Sequence, residues 1–300
     1  MLKSVELLIS LGYSKKDAED ITNSYPLVTL KDETLCKKIN ENFNYLIDLG
    51  YTKPDVIKMT KILPSLYSYS KEKIEEKISF LISLGYTMID IIKMTKILPS
   101  LYGYSKETIE EKISFLISLG YTKPDVIKMT KLLPTLYSYS KENIEDKISF
   151  LINLGYTRAD VIKMTKVFPS LYGYSKETIE EKISFLISLG YTMIDIIKMT
   201  NQFPALYSLS KENIKDKIKY LRDIGLENIV INDTRQLMQS VFLTYARYEF
   251  LTKEKEILID ESNYRKLFCG ETNFKKQYGV SKNVLLKKYS YEKYKGSIKS

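Results

Sequence analysis

The chain has 300 residues, 44% apolar and 28% charged, with a net charge of +9, the balance of a folded protein and not of a disordered one. Histidine is absent and the two cysteines, Cys36 and Cys269, stand far apart, which excludes a catalytic triad, a histidine base, the common zinc sites and a disulfide framework. With no Gly-rich phosphate loop either, neither an enzyme nor a cofactor is expected, and no apolar run is long enough for a membrane helix.

The dominant signal along the chain is self-similarity. A Leu/Ile-Gly pair ends at Gly12, Gly50, Gly85, Gly120, Gly155, Gly190 and Gly225, at intervals of 35 after a first one of 38. A proline follows fourteen residues after each of the first six, at Pro26, Pro64, Pro99, Pro134, Pro169 and Pro204. The array therefore closes at Gly225, giving repeats over 1–226 and a terminal segment over 227–300. The opening apolar stretch, interrupted by Glu6 and lacking a cleavage site, reads as the end of a helix and not as a signal peptide. In the next unit Asp32 or Thr34 caps a helix whose core positions are Ile39, Phe43, Leu46 and Leu49.

The unit from Ser70 to Tyr104 predicts two helices and a tight turn. Ser70 is a good N-cap, and Glu72 sits where the helix dipole favours negative charge. Ile74, Ile78, Leu81 and Ile82 recur at helical spacing. Gly85 suits a left-handed residue after the helix, with Tyr86 as the following apolar contact. Thr87 and Asp90 form a capping box for a second helix with Ile92, Met94 and Leu98 on its core face, and Pro99 ends it. Residues 99–104 suit a short 3₁₀ turn. Ile62, Ile97, Leu132 and Val167 lie off the main apolar arc, where a neighbouring repeat is expected to cover them; Gln202 takes that position in the last unit. Beyond Gly225, Asp233-Thr234 start a capping helix running to about Thr252. The last fifty residues are rich in Tyr and Lys, and short helices or a mobile end both fit them.

These residues carry a resemblance. Phe80-Leu-Ile-Ser-Leu-Gly-Tyr-Thr, an Asp at position 90, Ile92-Lys-Met and Pro99-Ser-Leu, in register through seven copies, resemble the repeat of the mitochondrial transcription termination factors, the mTERF family. The resemblance implies an all-α helical-repeat solenoid, two α-helices and a 3₁₀ turn per unit, stacked into a left-handed curved superhelix. It also implies nucleic-acid binding along a basic surface, with action on transcription or RNA. Two departures stand out. The chain opens inside a repeat with no Arg- and Ser-rich transit peptide, so a cytoplasmic monomer is expected. The repeats are unusually alike: residues 87–95 recur unchanged at 192–200, a mark of recent duplication.

On a helical wheel the solvent arc of the first helix carries Glu72, Glu75, Glu76, Ser79 and Ser83, while that of the second carries Lys93 and Lys96. A ladder of lysines follows: Lys58/Lys61, Lys93/Lys96, Lys128/Lys131, Lys163/Lys166 and Lys198, where Asn201 ends the pairing. Helix rows ~10 Å apart suit a phosphate backbone. Only five arginines accompany forty-one lysines, and Lys-Met-Thr-Lys is unchanged through four units, which points to backbone contact and away from a base-by-base code. The repeat-bound tyrosines, such as Tyr86 and Tyr102, are expected in the core. From Ser262 to Ser300 the surplus of positive charge is +8, leaving +1 for the rest. There Arg265, Lys266, Lys275, Lys276, Lys287, Lys288, Lys293 and Lys295 alternate with tyrosines, the pattern of a nucleic-acid clamp or of a solubilising end. Two functions fit: a protein that binds DNA or RNA through the ladder and the basic tail, and a scaffold for a protein partner. No membrane role is expected.

Overall fold

The computed structural model describes residues 2–292, and every regular element among them is helical. Two compact units divide the chain, residues 1–146 and 147–300. The first holds the pairs α1 (Lys3–Ser10) and α2 (Lys15–Thr22), α3 (Asp32–Asp48) and α4 (Lys53–Ile62), α5 (Lys71–Leu84) and α6 (Met88–Ile97), α7 (Lys106–Ser118) and α8 (Lys123–Leu132). A 3₁₀ helix follows each pair, at Leu27–Thr29, Pro64–Ser68, Pro99–Tyr102 and Pro134–Tyr137. In the second unit α9 (Lys141–Asn153), which begins just before the division, and α10 (Arg158–Val167), α11 (Lys176–Ser188) and α12 (Met193–Gln202) repeat the pattern with 3₁₀ helices at Pro169–Gly173 and Pro204–Ser208.

Local chemistry explains each boundary. Ser70 accepts a hydrogen bond from the Lys73 amide and starts α5. Gly85 ends it at φ +107°, where a side chain is strained, and Tyr86 N–H reaches back to the Leu81 carbonyl at 3.2 Å. The reciprocal Thr–Asp capping box forms at the start of α4, α6, α8, α10 and α12. Asp32 behaves otherwise than expected: its carboxylate accepts from the Lys3 and Ser4 amides, at 2.8 and 3.0 Å, and so caps α1, while no side chain caps α3.

The core also corrects the wheel. Ile91, Met94 and Thr95 are the buried residues of α6, and Ile92 is only half-buried. Ile92 instead fills the hollow over the preceding repeat's glycine, its Cδ1 lying 3.4 Å from where a Cβ on Gly50 would stand. The expected cover over Ile62, Ile97 and Leu132 is missing: they are 56, 55 and 56% exposed, and Val167 is exposed as well. They stand four residues after the exposed Lys58, Lys93, Lys128 and Lys163 and so share their outward helix face, which stacking leaves bare.

Two polar seams join successive repeats. Tyr13 binds Thr60 and Tyr67, both at 2.6 Å; Tyr51 binds Thr95 and Tyr102; Tyr86 binds Thr130 and Tyr137; Tyr156 binds Thr200 and Tyr207. Because the Thr60 hydroxyl already donates to the Val56 carbonyl, Tyr13 donates to Thr60 and accepts from Tyr67. The tyrosines are core elements, as expected. The second seam is unexpected. Lys77, Lys112, Lys147 and Lys182 are buried, and each Nζ donates to the carbonyl just before the next first helix, those of Tyr104, Tyr139, Tyr174 and Leu209. Asn42 holds the equivalent place, donating to Tyr67 and Tyr69 carbonyls at 2.9 Å.

This pattern runs on past Gly225. After α13 (Lys211–Asp223) come a short α14 (Ile229–Asn232), a 3₁₀ helix at Thr234–Met238 and α15 (Val241–Lys253). Asp233-Thr234 therefore open a 3₁₀ turn, not the long helix expected there, and Ser240 precedes the α-helix. Lys217 donates to the Gln239 carbonyl and Arg247 to those of Leu267 and Cys269, at 2.8 and 2.7 Å for Arg247. The described part of the terminal segment folds as α16 (Arg265–Phe268), α17 (Glu271–Tyr278) and α18 (Lys282–Lys288). Phe274, Leu285 and Tyr291 are buried against it and against α15. Among the described residues no single helix is long and apolar enough to cross a membrane.

Lys112→Met keeps the buried stem but leaves the Tyr139 carbonyl without its donor, so unfolding free energy should fall by about 1–3 kcal/mol; a urea melt with an unshifted midpoint contradicts this. Burial pushes the hydroxyls of Tyr51, Tyr86, Tyr102 and Tyr137 above their ordinary 10.0. The unfolded chain thus releases protons above that pH that the fold retains, and stability present below it is lost as pH rises further. Tyrosinate absorbance from these residues should appear only together with loss of helical circular dichroism.

Candidate nucleic-acid interface

The second helices α4, α6 and α8 pack side by side. Each turns one short row of side chains outward, because residues four apart share a helix face. In α4 this row is Pro54, Lys58 and Ile62; in α6 it is Ile89, Lys93 and Ile97; in α8 it is Pro124, Lys128 and Leu132. All nine are exposed, and Lys58, Lys93 and Lys128 make no ion pair among the described residues. In the second unit Lys163 of α10 is exposed with no ion pair among the described residues, and Lys198 of α12 is exposed and donates to Asn232 Oδ1 at 2.8 Å.

The other half of the lysine ladder is occupied. Lys61 pairs with Asp17 at 3.0 Å, Lys96 with Asp55 at 2.9 Å and Lys131 with Asp90 at 2.8 Å. Each of these aspartates belongs to the capping motif of the preceding second helix, so it holds a helix start and a neighbouring lysine together. Lys166 is likewise engaged. In α12 Asn201 makes the same contact as a neutral donor, to Asp160 Oδ1 at 2.8 Å. The acidic and basic residues are therefore not segregated by helix as the wheel suggested. At these places they neutralise one another, and one cation per repeat stays available.

Charge on the aspartates follows from the geometry. Desolvation pushes the Asp90 carboxyl up, yet the Lys131 ammonium and the Thr87 hydrogen bonds outweigh it and bring the group down to about 2. Asp55 is held below its ordinary value by the same balance of desolvation against Lys96 and Thr52.

The basic residues of the terminal segment divide in the same way. Arg265 faces Asp233 at 4.0 Å and Lys288 pairs with Glu254 at 3.0 Å, while Lys266 is half-buried. Lys275, Lys276 and Lys287 remain exposed. The interleaved tyrosines are mostly packed: Tyr264 donates to Asp233, Tyr289 to Glu254, Tyr278 lies 4.7 Å from the Phe274 ring, and Tyr291 is buried against Tyr220 and Val241. Lys293, Tyr294 and Lys295 lie outside the described residues. No group of His, Cys, Asp or Glu among the described residues is arranged to hold a metal ion.

Stacked pairs of helices, each closed by a 3₁₀ turn in units of about 35 residues, define a helical-repeat protein. The mTERF family model matches residues 1–118 and again residues 102–230, and the chain belongs to the mTERF family. That membership makes it a non-enzymatic nucleic-acid binder. Among curated proteins no sequence matches the chain.

Removing the partner of Asp90 should release its proton affinity. In Lys131→Gln the Asp90 carboxyl should titrate well above 2, toward the ordinary aspartate range, while Asp55 stays low. Carboxyl carbon shifts followed by NMR through acid pH read both, and an unmoved Asp90 would remove the ion pair from the account.

Proposed function

We propose that the chain grips the phosphate backbone of DNA or RNA with the outward lysines Lys58, Lys93 and Lys128 of the first unit and with Lys163 and Lys198 of the second, and acts sterically on transcription or RNA metabolism. The observation that carries this reading is the division of the ladder. Lys61, Lys96 and Lys131 are consumed by capping aspartates, while the lysine three residues earlier in each helix is left exposed. A free ammonium group that neutralises a phosphate releases a counterion condensed on the nucleic acid, whereas one already paired with a carboxylate must first break that pair to do so. With a single arginine among these second helices, Arg158, bidentate recognition of guanine is not the basis of binding. Lys275, Lys276 and Lys287 supply a second set of exposed charges from the terminal segment.

Five lysines meeting phosphates give log K against log[salt] a slope near ~−4.5 on duplex DNA and ~−3.5 on a single strand. Changing Lys58, Lys93 and Lys128 together to Gln should flatten that slope by roughly two to three units and weaken binding at low salt by orders of magnitude. Changing Lys61, Lys96 and Lys131 to Gln should leave the slope nearly as it was. Equal effects of the two triple variants, read by fluorescence anisotropy across a salt series, would falsify the division. Binding that survives the first variant and disappears when Lys275, Lys276 and Lys287 become Gln assigns the contact to the terminal segment instead.

A further inference from the structure

The outward face of the second helices is not simply basic. Each lysine is flanked, four residues before and four after, by an aliphatic or proline side chain: Pro54 and Ile62, Ile89 and Ile97, Pro124 and Leu132. Ile62, Ile97 and Leu132 are exposed by more than half, and Ile89 by 65%. The first helices of the same repeats carry Glu and Ser on their outer arc with one exposed Ile each, Ile47, Ile82 and Ile117, whereas each exposed lysine of the second helices stands between two apolar side chains. The position after the lysine has also drifted: Ile, Ile, Leu and Val occupy 62, 97, 132 and 167. Through these four units the change stays within the aliphatic set, and it ends at Gln202 in the next.

We infer that this face takes a single-stranded nucleic acid in preference to a duplex, with phosphates on the lysine row and base faces on the aliphatic row. The inference rests on the lysine contact proposed above. Neighbours four apart on a helix stand about 5–6 Å from one another, so lysine and aliphatic side chain meet the same stretch of ligand. A duplex offers that surface its anionic backbone and buries its base faces in the stack. Pressing Ile62, Ile97 and Leu132 against it removes them from water beside charged oxygens. An unpaired strand offers an apolar ring face next to each phosphate, matching the alternation of charge and hydrocarbon along each helix. The aliphatic row adds affinity without adding counterion release, so it acts on the salt-independent part of binding.

The test compares a single-stranded oligonucleotide with a duplex of the same sequence, across a salt series, on the full chain. Ile62→Ser, Ile97→Ser and Leu132→Ser are combined in one variant, whose fold is checked by an unchanged circular dichroism melt; since the three side chains are already exposed, folding should tolerate it. Wild type should prefer the single strand, and the variant should lose about tenfold or more in single-strand affinity with an unchanged salt slope and an unchanged duplex affinity. Equal wild-type affinity for both forms, or a variant that loses nothing, overturns the inference while leaving the lysine contact standing. Should the Lys58, Lys93 and Lys128 to Gln variant bind as wild type does, the underlying reading fails instead. Sedimentation of the protein alone supplies a further arm: self-association present in wild type and abolished in the serine variant means that a second copy covers the row, which also overturns the inference.

Discussion

The stack depends on a buried cation that holds the end of one repeat to the beginning of the next. From the second repeat on, each 3₁₀ turn delivers the chain to a Ser N-cap, and the residue just before that cap presents a carbonyl to the interior with no helical partner. An unpaired carbonyl there is unfavourable by a few kcal/mol or less, but it recurs at every joint. Lys77, Lys112, Lys147 and Lys182 answer it with an ammonium group. Their burial pushes each Nζ below its ordinary pKa of 10.5, so the contact is made against a desolvation penalty. Lysine suits the place because its stem packs along the first helix while three donors remain at its tip. Where a polar residue with a shorter reach suffices, as at Asn42, the fold uses one without charge.

From that constraint follows a sorting of lysines that composition cannot show. One set is buried in the seam. A second, Lys61, Lys96 and Lys131, reaches across to the capping aspartate of the repeat before. A third stands in solvent. All three recur every 35 residues, and all three look alike on a wheel. What separates them is the position of each on its helix relative to the neighbouring repeat: seven residues after the Ser cap for the seam, nine after the Thr cap for the ion pair, six for the free side chain. The number of lysines in the sequence thus overstates the cations available to a ligand.

Features set within one turn of helix were legible in the sequence. Ser70, the Thr87–Asp90 box, the left-handed Gly85 and the proline stop at Pro99 act on neighbours a few residues away, and each appears where its chemistry places it. Features that join residues across repeats were not. Nothing local distinguishes Ile91, which faces the pair's own core, from Ile92, which fills the space above Gly50; adjacent residues differ by about 100° on the wheel, and the choice is made by the neighbouring unit. The pairing of Lys96 with Asp55 spans 41 positions and reads, from either end, as an exposed charge and a helix cap. Lys77 reads as a solvated residue among glutamates. Asp233 resembles a helix start, but its carboxylate is taken by Gln236 and Tyr264, so the helix waits until Val241.

The terminal repeats show which of these contacts a stack can lose. Tyr191 stands where Tyr156 stands one unit earlier, yet its hydroxyl has no hydrogen-bond partner among the described residues, since Leu237 takes the place of the second tyrosine of the motif. Its ring is covered instead by the Arg222 guanidinium of α13, 5.8 Å away. The carbonyl seam is kept: Lys217 is followed by Arg247, fully buried, with its guanidinium 4.3 Å above the Phe274 ring. The Nη1 of this arginine donates to two carbonyls, those of Leu267 and Cys269. Loss of a tyrosine triad leaves a neutral hydroxyl unsatisfied, a modest penalty. Loss of the seam would leave both a backbone carbonyl and a buried cation without partners, a far larger one. The order in which the contacts fade toward the end of the array matches that difference, and it follows that a unit is counted by its carbonyl joint and not by its glycine or proline.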